Sequence, residues 1–257
     1  AAVGAGLAFA FSGEFWEQSV IAEVYTLNAF FIVSCCLLLL LWYEARSQRY
    51  LIAFAFVYGL SLSNHNTMNL LGPLLLTFVF VVDQRPWQRW RLYATCLVVS
   101  LLPLSIYAYL PIRSLANPPV DWGNPETAQN FWEVVTRQQY AFGFTKNPRT
   151  LERFIVQTWE FSKLYAKEFT PWLCLLPLAG IWPLWRRNAF TCVALVVFYL
   201  YVVFGFIMLL NFDIDKESLW LNNVFWIPAY MMAAIFLGAG ISWFTDMRLS
   251  RPVTIGL

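Results

Sequence analysis

The stretch SLSNHNTMNLLG, residues 61–72, separates two apolar segments and determines how the chain crosses a membrane. It is rich in asparagine, including Asn64, and it contains His65, the only histidine among the 257 residues. The flanking segments, 50–63 and 67–82, are each shorter than the roughly 17–25 residues that a spanning helix needs, yet together they are too long for one span. The stretch is therefore either the tip of a hairpin of two short helices or a break within one crossing helix.

The composition indicates an integral membrane protein. Hydrophobic residues make up 60% of the chain, charged residues 12%, and the mean hydropathy is +0.57, values that a soluble domain with a polar exterior does not reach. The net charge of +2 is small and no basic tract occurs, so nucleic acid is excluded as a partner. The five cysteines lie in apolar segments without a CxxC spacing, which predicts packing residues rather than disulfides or a zinc site.

The positions of the arginines distinguish the two interpretations of residues 61–72. A hairpin returns the chain to the side that it left, and this places four arginine-bearing loops on one side of the membrane. Twelve of the fifteen acidic residues then lie on the other side, whereas a single crossing would divide the arginine loops between the two faces. Because cytoplasmic loops are enriched in arginine and lysine, the hairpin is favoured, with its tip at the outer surface.

The predicted fold is all-α, a polytopic transmembrane helix bundle in three parts. Residues 1–110 hold transmembrane helices, including the short-helix hairpin at 50–82. Residues 111–169 form a helical outer loop, and residues 170–257 hold the C-terminal transmembrane helices. A bacterial inner membrane, with the 111–169 loop in the periplasm, is the expected location.

Two helices are predicted in the outer loop, each starting at an Asn-Pro pair. Asn124 and Asn147 would be the N-caps, proline would be the first helical residue, and Glu126 would lie in the first turn. In the second helix, apolar residues at spacings of three and four, from Leu151 to Tyr165, form one face. This helix would lie on the membrane surface or cover the protein's own outer face.

Ionisable residues at membrane level are candidates for a site, because they are costly there. His65, with Asn64 beside it, is a candidate for one of three roles. It could carry protons, bind a phosphate when protonated, or orient another side chain of the site. The alternative is that these residues and Asn66 cap the open ends of two short helices. Glu23, at the outer end of a span, is a second candidate. The alternative is that its carboxylate has no role in a site and is solvated by water among the lipid headgroups.

The segment YLPIRSLANPPVDWGNPE, residues 109–126, is the densest motif. Arg113 follows the end of a span, where its guanidinium can hold a phosphate or carboxylate at headgroup level. Asn117 and the two prolines after it stiffen the turn. Asp121 with Trp122 presents a carboxylate beside an aromatic surface, a combination common at sugar sites, although a turn residue bonded to its own backbone is the alternative for Asp121.

Arg137 and Tyr140 are further binding candidates, expected to face the same cavity. A single histidine cannot form a histidine metal cluster, and no metal ligand is assigned. The acidic run DIDKES, residues 213–218, is an exposed loop or a site for a divalent cation, which is the one cofactor left open. The chain has no phosphate-binding glycine loop, GxSxG, HExxH or dinucleotide-binding fingerprint, which argues against chemistry with nucleotides.

Four blocks of the sequence, in family order, resemble a large bacterial family of multispanning proteins of unknown function. The animal relatives of that family are transmembrane protein O-mannosyltransferases of the GT-C superfamily. The blocks are FAFSGEFWEQSVIAEVYTLNAFF (9–31), GLSLSNHNTMNLLGPLL (59–75), YLPIRSLANPPVDWGNPETAQNFWEVVTRQQYAF (109–142) and WLNNVFWIPAYMMAAIFLGAGISW (220–243).

The resemblance implies a GT-C-like fold and a glycosyltransferase that uses a polyprenyl-phosphate sugar as donor. A protein or glycan acceptor attacks the anomeric carbon, an acidic residue acts as base, and cationic groups stabilise the departing lipid phosphate. On this basis Arg113, His65 and Arg137 are candidates for the lipid phosphate. Glu23 and Asp121 are expected to contact the sugar or the acceptor.

One element of the family pattern does not occur here. The presumed catalytic acid of the family lies in a Gly-Asp-Ser/Cys-Gly-Glu type segment that precedes a His-Pro-Pro-Gly segment, and the chain contains neither. We therefore expect that residue 1 is not the true start, or that the protein is a shortened relative without the base. The catalytic residue is unknown, and neither Glu14 nor Glu17 is assigned to it.

Two functions follow from the sequence. The first is a glycosyltransferase of GT-C type, or its C-terminal part, in contact with membrane lipid, a lipid-linked sugar and an acceptor. The second is a non-catalytic subunit derived from the same family, serving as a scaffold for other membrane subunits in a larger complex. A small-molecule transporter is a third possibility, because broken helices build transporter sites, but the chain shows no internal repeat.

Overall fold

The computed structural model describes residues 2–138 and 147–249, and every regular element in these two ranges is a helix. The all-α prediction is therefore confirmed. In chain order the α-helices are α1 (Ala2–Ala10), α2 (Gly13–Ser19), α3 (Tyr25–Ala45), α4 (Gln48–Leu62), α5 (Thr67–Val82), α6 (Trp90–Leu101), α7 (Tyr109–Ser114), α8 (Ala128–Thr136), α9 (Leu151–Glu168), α10 (Thr170–Leu173), α11 (Leu176–Arg187), α12 (Ala189–Leu200), α13 (Phe206–Leu210), α14 (Lys216–Asn223) and α15 (Ile227–Leu249).

Four helical runs in the described part of the chain are long and apolar enough to cross a membrane. Short 3-10 or π turns join neighbouring helices within three of them. A shorter apolar helix, Thr67–Val82, accompanies them, and the chain is an integral membrane protein. The four runs are Tyr25–Ala45, Pro86–Ser114, Ala189–Leu210 and Lys216–Thr245.

The chain forms two compact units. The split unit consists of Ala1–Thr26 and Arg149–Leu257, and the central unit consists of Leu27–Pro148. The split unit therefore brings together residues from both ends of the sequence. The three-part division predicted from the sequence remains a prediction.

In the central unit, α4 and α5 lie side by side and run in opposite directions. Arg46, just before α4, donates from Nη1 to the carbonyl of Val82 at the end of α5, at 3.2 Å. Near the other end of the pair, the Tyr58 hydroxyl in α4 donates to the carbonyl of Met68 in the first turn of α5, at 3.3 Å. The chain thus reverses at residues 63–66, which form the tip of this hairpin.

Glycine allows α6 to approach α4 closely. A Cβ atom on Gly59 would lie 2.0 Å from the carbonyl oxygen of Ser100, so the two backbones touch where no side chain intervenes. The Tyr107 hydroxyl donates to the carbonyl of Leu62 at 2.9 Å, which satisfies an open group at the end of α4. Small residues at helix contacts are typical of membrane proteins, where packing rather than water exclusion drives association.

In the split unit, α15 is the most buried helix, and α11 packs directly on it. A Cβ atom on Gly180 would lie 1.7 Å from the carbonyl oxygen of Phe236, and one on Gly240 would lie 3.2 Å from the Gly180 nitrogen. Trp226, just before α15, and Tyr230 within it have no exposed surface. The glycine contact therefore fixes the spacing of the two helices at the centre of this unit.

Helix α9 packs within the split unit through Gln157 and Phe161. Gln157 is buried and donates from Nε2 to the carbonyl of Phe212 at 2.7 Å, and Phe161 is buried beside it. Leu151 and Ile155, at the start of the predicted apolar face, are 75% and 58% exposed. The two alternatives for this apolar face, the membrane surface or the protein's own outer face, remain predictions.

The two loop helices begin after threonine rather than at the Asn-Pro pairs. Thr127 precedes α8 and Thr150 precedes α9, and each hydroxyl accepts the backbone N–H of the third residue after it, at 3.2 Å in both cases. Asn124 has a φ of +40°, and Glu126 lies before the helix. The N-caps predicted at Asn124 and Asn147 are wrong, because threonine in extended backbone geometry supplies the cap instead.

We expect Gly180→Ala to lower the melting temperature of the protein, because the new Cβ would overlap the Phe236 carbonyl. Overpacking of this kind costs about 1–3 kcal/mol. Gly6→Ala in α1 is the control, since no atom lies within 4 Å of a Cβ at that position. Thermal unfolding of both variants in one detergent tests this, and equal melting temperatures would contradict the close contact.

Candidate functional site

His65 lies at the hairpin tip and is bound on one side of its ring. Its Nδ1 lies 2.9 Å from Thr67 Oγ1 and accepts the backbone N–H of Thr67 at 3.3 Å. Thr67 Oγ1 in turn accepts from Nδ2 of Asn28 in α3, at 2.8 Å. Because Nδ1 accepts the N–H of Thr67 it carries no hydrogen, and the Thr67 hydroxyl therefore donates to it. His65 thus caps the start of α5, and the capping role considered from the sequence is one that it performs.

The bonds of His65 also determine where its ring carries a proton. Nδ1 is an acceptor, so the neutral ring holds its hydrogen on Nε2. Burial is the larger cause that lowers the pKa of His65, and the positive charge of Arg137 lowers it further, to about 4. The ring is therefore neutral at pH 7, and it offers an N–H donor rather than a cationic phosphate ligand.

Arg137 and Asn64 belong to the same region of the central unit. Arg137 ends α8 with a left-handed backbone, φ +54°, and its half-buried side chain influences the pKa of His65. Asn64 follows α4, and its backbone N–H donates to the carbonyl of Ser61 at 3.0 Å. The structure thus places three of the predicted residues near the tip, while Tyr140 lies outside the described residues.

Four more candidates lie at the end of the Pro86–Ser114 span and in the loop after it; Arg113 belongs to the span itself rather than following it. Arg113, Asn117, Asp121 and Trp122 are all exposed, and Trp122 has 67% of its surface accessible. The hydroxyl of buried Ser114 donates to Asp121 Oδ2 at 2.6 Å and holds this carboxylate against the end of α7. Asp121 is therefore fixed by a side chain of the span rather than by its own backbone.

Glu23 lies in the split unit, in the short connection between α2 and α3. Its side chain is exposed, and its backbone N–H donates to the carbonyl of Ile21 at 2.9 Å. The other described candidates lie in the central unit.

A buried carboxyl cluster in the split unit was missed by the sequence analysis. Glu14 in α2 is only 6% exposed, and it accepts from Nε2 of Gln18 at 3.2 Å and from Nδ2 of Asn223. The Tyr230 hydroxyl donates to Asn223 Oδ1 at 2.7 Å, which keeps the amino group of that amide pointed at Glu14. Glu168, at the end of α9, accepts the backbone N–H of Glu14 with both oxygens, at 3.1 and 3.0 Å.

The surroundings of Glu14 favour its protonated form. Burial is the largest effect, the charges of Glu168 and Glu17 act in the same direction, and the bonds from Asn223 and Gln18 oppose them. Together they raise the pKa of Glu14 from 4.5 to about 7. Burial also raises the pKa of Glu168, against the stabilising backbone N–H of Glu14. Strongly shifted carboxyl groups of this kind occur at functional sites and at structural contacts alike.

Of the contacts in this cluster, the sequence indicates only the one between Glu14 and Gln18. Glu14 and Gln18 are four residues apart, so they share one face of α2. Asn223 and Glu168 lie 209 and 154 residues from Glu14, and nothing local links them to it.

The acidic run before the last span has structural partners. Asp213 lies 3.5 Å from Nη2 of Arg153, and Asp215 caps α14 by accepting the N–H of Ser218 at 2.9 Å. Among the described residues, no three histidine, cysteine or acidic side chains come together as metal ligands.

Comparison with known proteins places the chain in a functional context. The family model described as "Protein O-mannosyl-transferase TMEM260 N-terminal domain" matches residues 1–89. The protein O-mannosyl-transferase TMEM260 of Mus musculus is 32% identical over 148 residues, which cover 52% of this chain and 20% of that protein. The chain is related to protein O-mannosyl-transferases. The resemblance noted from the sequence is therefore confirmed.

The matches cover only part of this chain and a small part of the mouse protein. The chain spans about a fifth of the length of the mouse O-mannosyl-transferase. The family match at residues 1–89 includes Glu14, Glu23, Asn64 and His65, whereas Arg113 lies beyond it. No solved structure matches the chain.

We expect Glu14→Gln to raise the melting temperature at high pH and to flatten its dependence on pH. Since the pKa of Glu14 rises from 4.5 to about 7 on folding, its contribution to stability is complete below about pH 4.5. This contribution is lost as the pH rises through about 7, and the two pKa values differ by the equivalent of about 3 kcal/mol. A glutamine also fits, because the Gln18 Oε1 atom, buried without a partner among the described residues, can accept its amide N–H.

Melting curves at about pH 5 and about pH 9 test this expectation. Glu152→Gln is the control, since Glu152 is exposed in the same unit and is not among the charges that raise the pKa of Glu14. If Glu14→Gln were more destabilising at the higher pH than at the lower, the carboxyl would be stabilising as an anion and the interpretation would fail.

Proposed function

We propose that this chain is part of a membrane glycosyltransferase that transfers a sugar from a polyprenyl-phosphate donor to a protein or glycan acceptor. The relationship to protein O-mannosyl-transferase TMEM260 carries the proposal, and it includes the stretch with Glu23 and the hairpin tip. We place the reaction at the outer face of a bacterial inner membrane, with the arginine-bearing loops in the cytoplasm and the 111–169 loop in the periplasm.

The donor is assigned from the chemistry of the candidate residues. Nucleotide-binding motifs do not occur in the sequence, whereas a polyprenyl-phosphate sugar needs none. Arg113 is exposed near the end of the Pro86–Ser114 span. A guanidinium at this position can meet a lipid phosphate at headgroup level with two parallel hydrogen bonds, and it stabilises the negative charge that develops as the phosphate leaves.

The sugar is assigned to the loop that follows the same span. Ser114 holds Oδ2 of Asp121, and the carboxylate remains exposed for the hydroxyls of a sugar or an acceptor. The exposed ring of Trp122, the next residue, offers an apolar surface on which a sugar ring can lie. Asn117 and Tyr140 are proposed as further polar contacts of this loop region.

His65 is proposed as a hydrogen-bond donor rather than as the base. Its Nδ1 is occupied by Thr67 and its Nε2 carries the hydrogen, so the neutral ring has no lone pair available to accept a proton. Arg137 supplies the positive charge beside it, and together they suit a phosphate. The base itself is assigned to no residue of the chain.

We expect Arg113→Gln to lower sugar transfer roughly 100-fold, the usual loss when one donor to a developing anion is removed. Asp121→Asn should lower it by a factor of about 10 or more, because a hydrogen bond to a charged group is lost. The assay uses the full-length protein that contains this chain, a polyprenyl-phosphate mannose donor and an acceptor peptide. Arg91→Gln is the matched control, since Arg91 is exposed in the same span.

Two results would contradict the proposal. One is the absence of both transfer and donor hydrolysis under conditions in which a known relative is active, which would favour the scaffold subunit. The other is an equal loss of activity in Arg113→Gln and Arg91→Gln, which would remove the specific role of the phosphate contact.

A further inference from the structure

A groove runs along the surface of α1, α11 and α15 in the split unit. It has a volume of about 440 Å³ and is largely apolar. Its lining includes several small side chains, among them Ala2 and Ala5 of α1 and Gly238 and Ala239 of α15. Since Gly238 and Ala239 belong to the Lys216–Thr245 run, this lining lies at the level of a candidate membrane span.

A second cavity of about 540 Å³ continues the groove. Both are lined by Pro183, Arg187 and Trp243. The second one adds Trp182 and Arg186. The apolar groove thus ends at two arginines and two tryptophans.

The two arginines have no acidic partner in the described part of the chain. Arg186 lies over the ring of Trp182 with its Cζ 5.6 Å from the ring centre, and both guanidinium groups are exposed. By contrast, Arg89 is 3.6 Å from Asp83 and Arg153 is 3.5 Å from Asp213. The end of the groove therefore carries two positive charges that no described carboxylate offsets.

The position of these residues fits the boundary of a membrane. Arg186 and Arg187 are the last two residues of α11, and tryptophan is enriched at the level of lipid headgroups. Basic pockets between membrane helices are typical sites for anionic headgroups. A guanidinium binds a phosphate through two parallel N–H donors, and an apolar groove accepts an acyl chain.

We propose that this groove binds an anionic phospholipid, with its phosphate on Arg186 and Arg187 and one acyl chain along Ala239. The ligand class follows from charge complementarity at one end and apolar shape at the other. The site is separate from the proposed transfer reaction, and its function is to anchor the α11–α15 pair in an anionic leaflet.

The test measures phosphatidylglycerol retained by the purified full chain, by native mass spectrometry, with phosphatidylcholine as the zwitterionic reference. We expect the wild type to prefer phosphatidylglycerol and Arg186→Gln/Arg187→Gln to bind it about ten-fold or more weakly, at about 1 kcal/mol for each basic residue. Arg49→Gln/Arg91→Gln is the matched control, since both arginines are exposed and lie over an aromatic neighbour, at 4.8 and 5.6 Å. The control should retain wild-type binding.

A second variant tests the groove without changing its charge. Ala239→Leu narrows the apolar part and should also weaken binding of phosphatidylglycerol, while Ala94→Leu, on an exposed position of α6, should not. Equal binding of the two phospholipids by the wild type would overturn the proposal, as would equal losses in the arginine pair and its control. Displacement of phosphatidylglycerol by an equimolar polyprenyl phosphate would overturn it too, because the groove would then hold the lipid donor instead.

Discussion

A polar group that is buried away from water must find its partner inside the protein. This constraint organises the parts of the chain where its helices end. At the hairpin tip, Asn28, Thr67 and His65 form a chain of hydrogen bonds that satisfies the start of α5. In the split unit, Arg153 donates to the carbonyls of Asn211 and Phe212, which follow the Ala189–Leu210 span. Buried polar groups at these helix ends are thus bound by side chains.

The same constraint separates the two best-positioned carboxyl groups into different chemical roles. Glu14 is buried beside a second carboxyl, so it favours a proton and fastens α2 to Asn223 of α14. Asp121 is exposed and held at one oxygen by Ser114, so it remains open to a ligand. Burial thus makes Glu14 a contact that responds to pH, whereas exposure makes Asp121 suitable for contact with a sugar.

Local patterns in the sequence predicted the helices more reliably than the details of their ends and faces. The apolar segments, and the polar tip between α4 and α5, were visible because their signal lies within one or two helix lengths. The starts of α8 and α9 were misplaced by a few residues, since threonine competed with the Asn-Pro pairs as a cap. The burial of Gln157 on α9 was not visible locally, because its partner is the carbonyl of Phe212, 55 residues away.

The sequence by itself determined that this is an all-α membrane protein and that it is related to protein O-mannosyl-transferases, because composition, helical periodicity and family motifs are properties of the chain. Only the tertiary structure decided which side chains meet. The bonds of Glu14 to Asn223 and Glu168 join segments 209 and 154 residues apart, and the contact of Gly180 with the Phe236 carbonyl depends on two backbones that approach without side chains between them. Such contacts arise from packing, and no local pattern of residues encodes them.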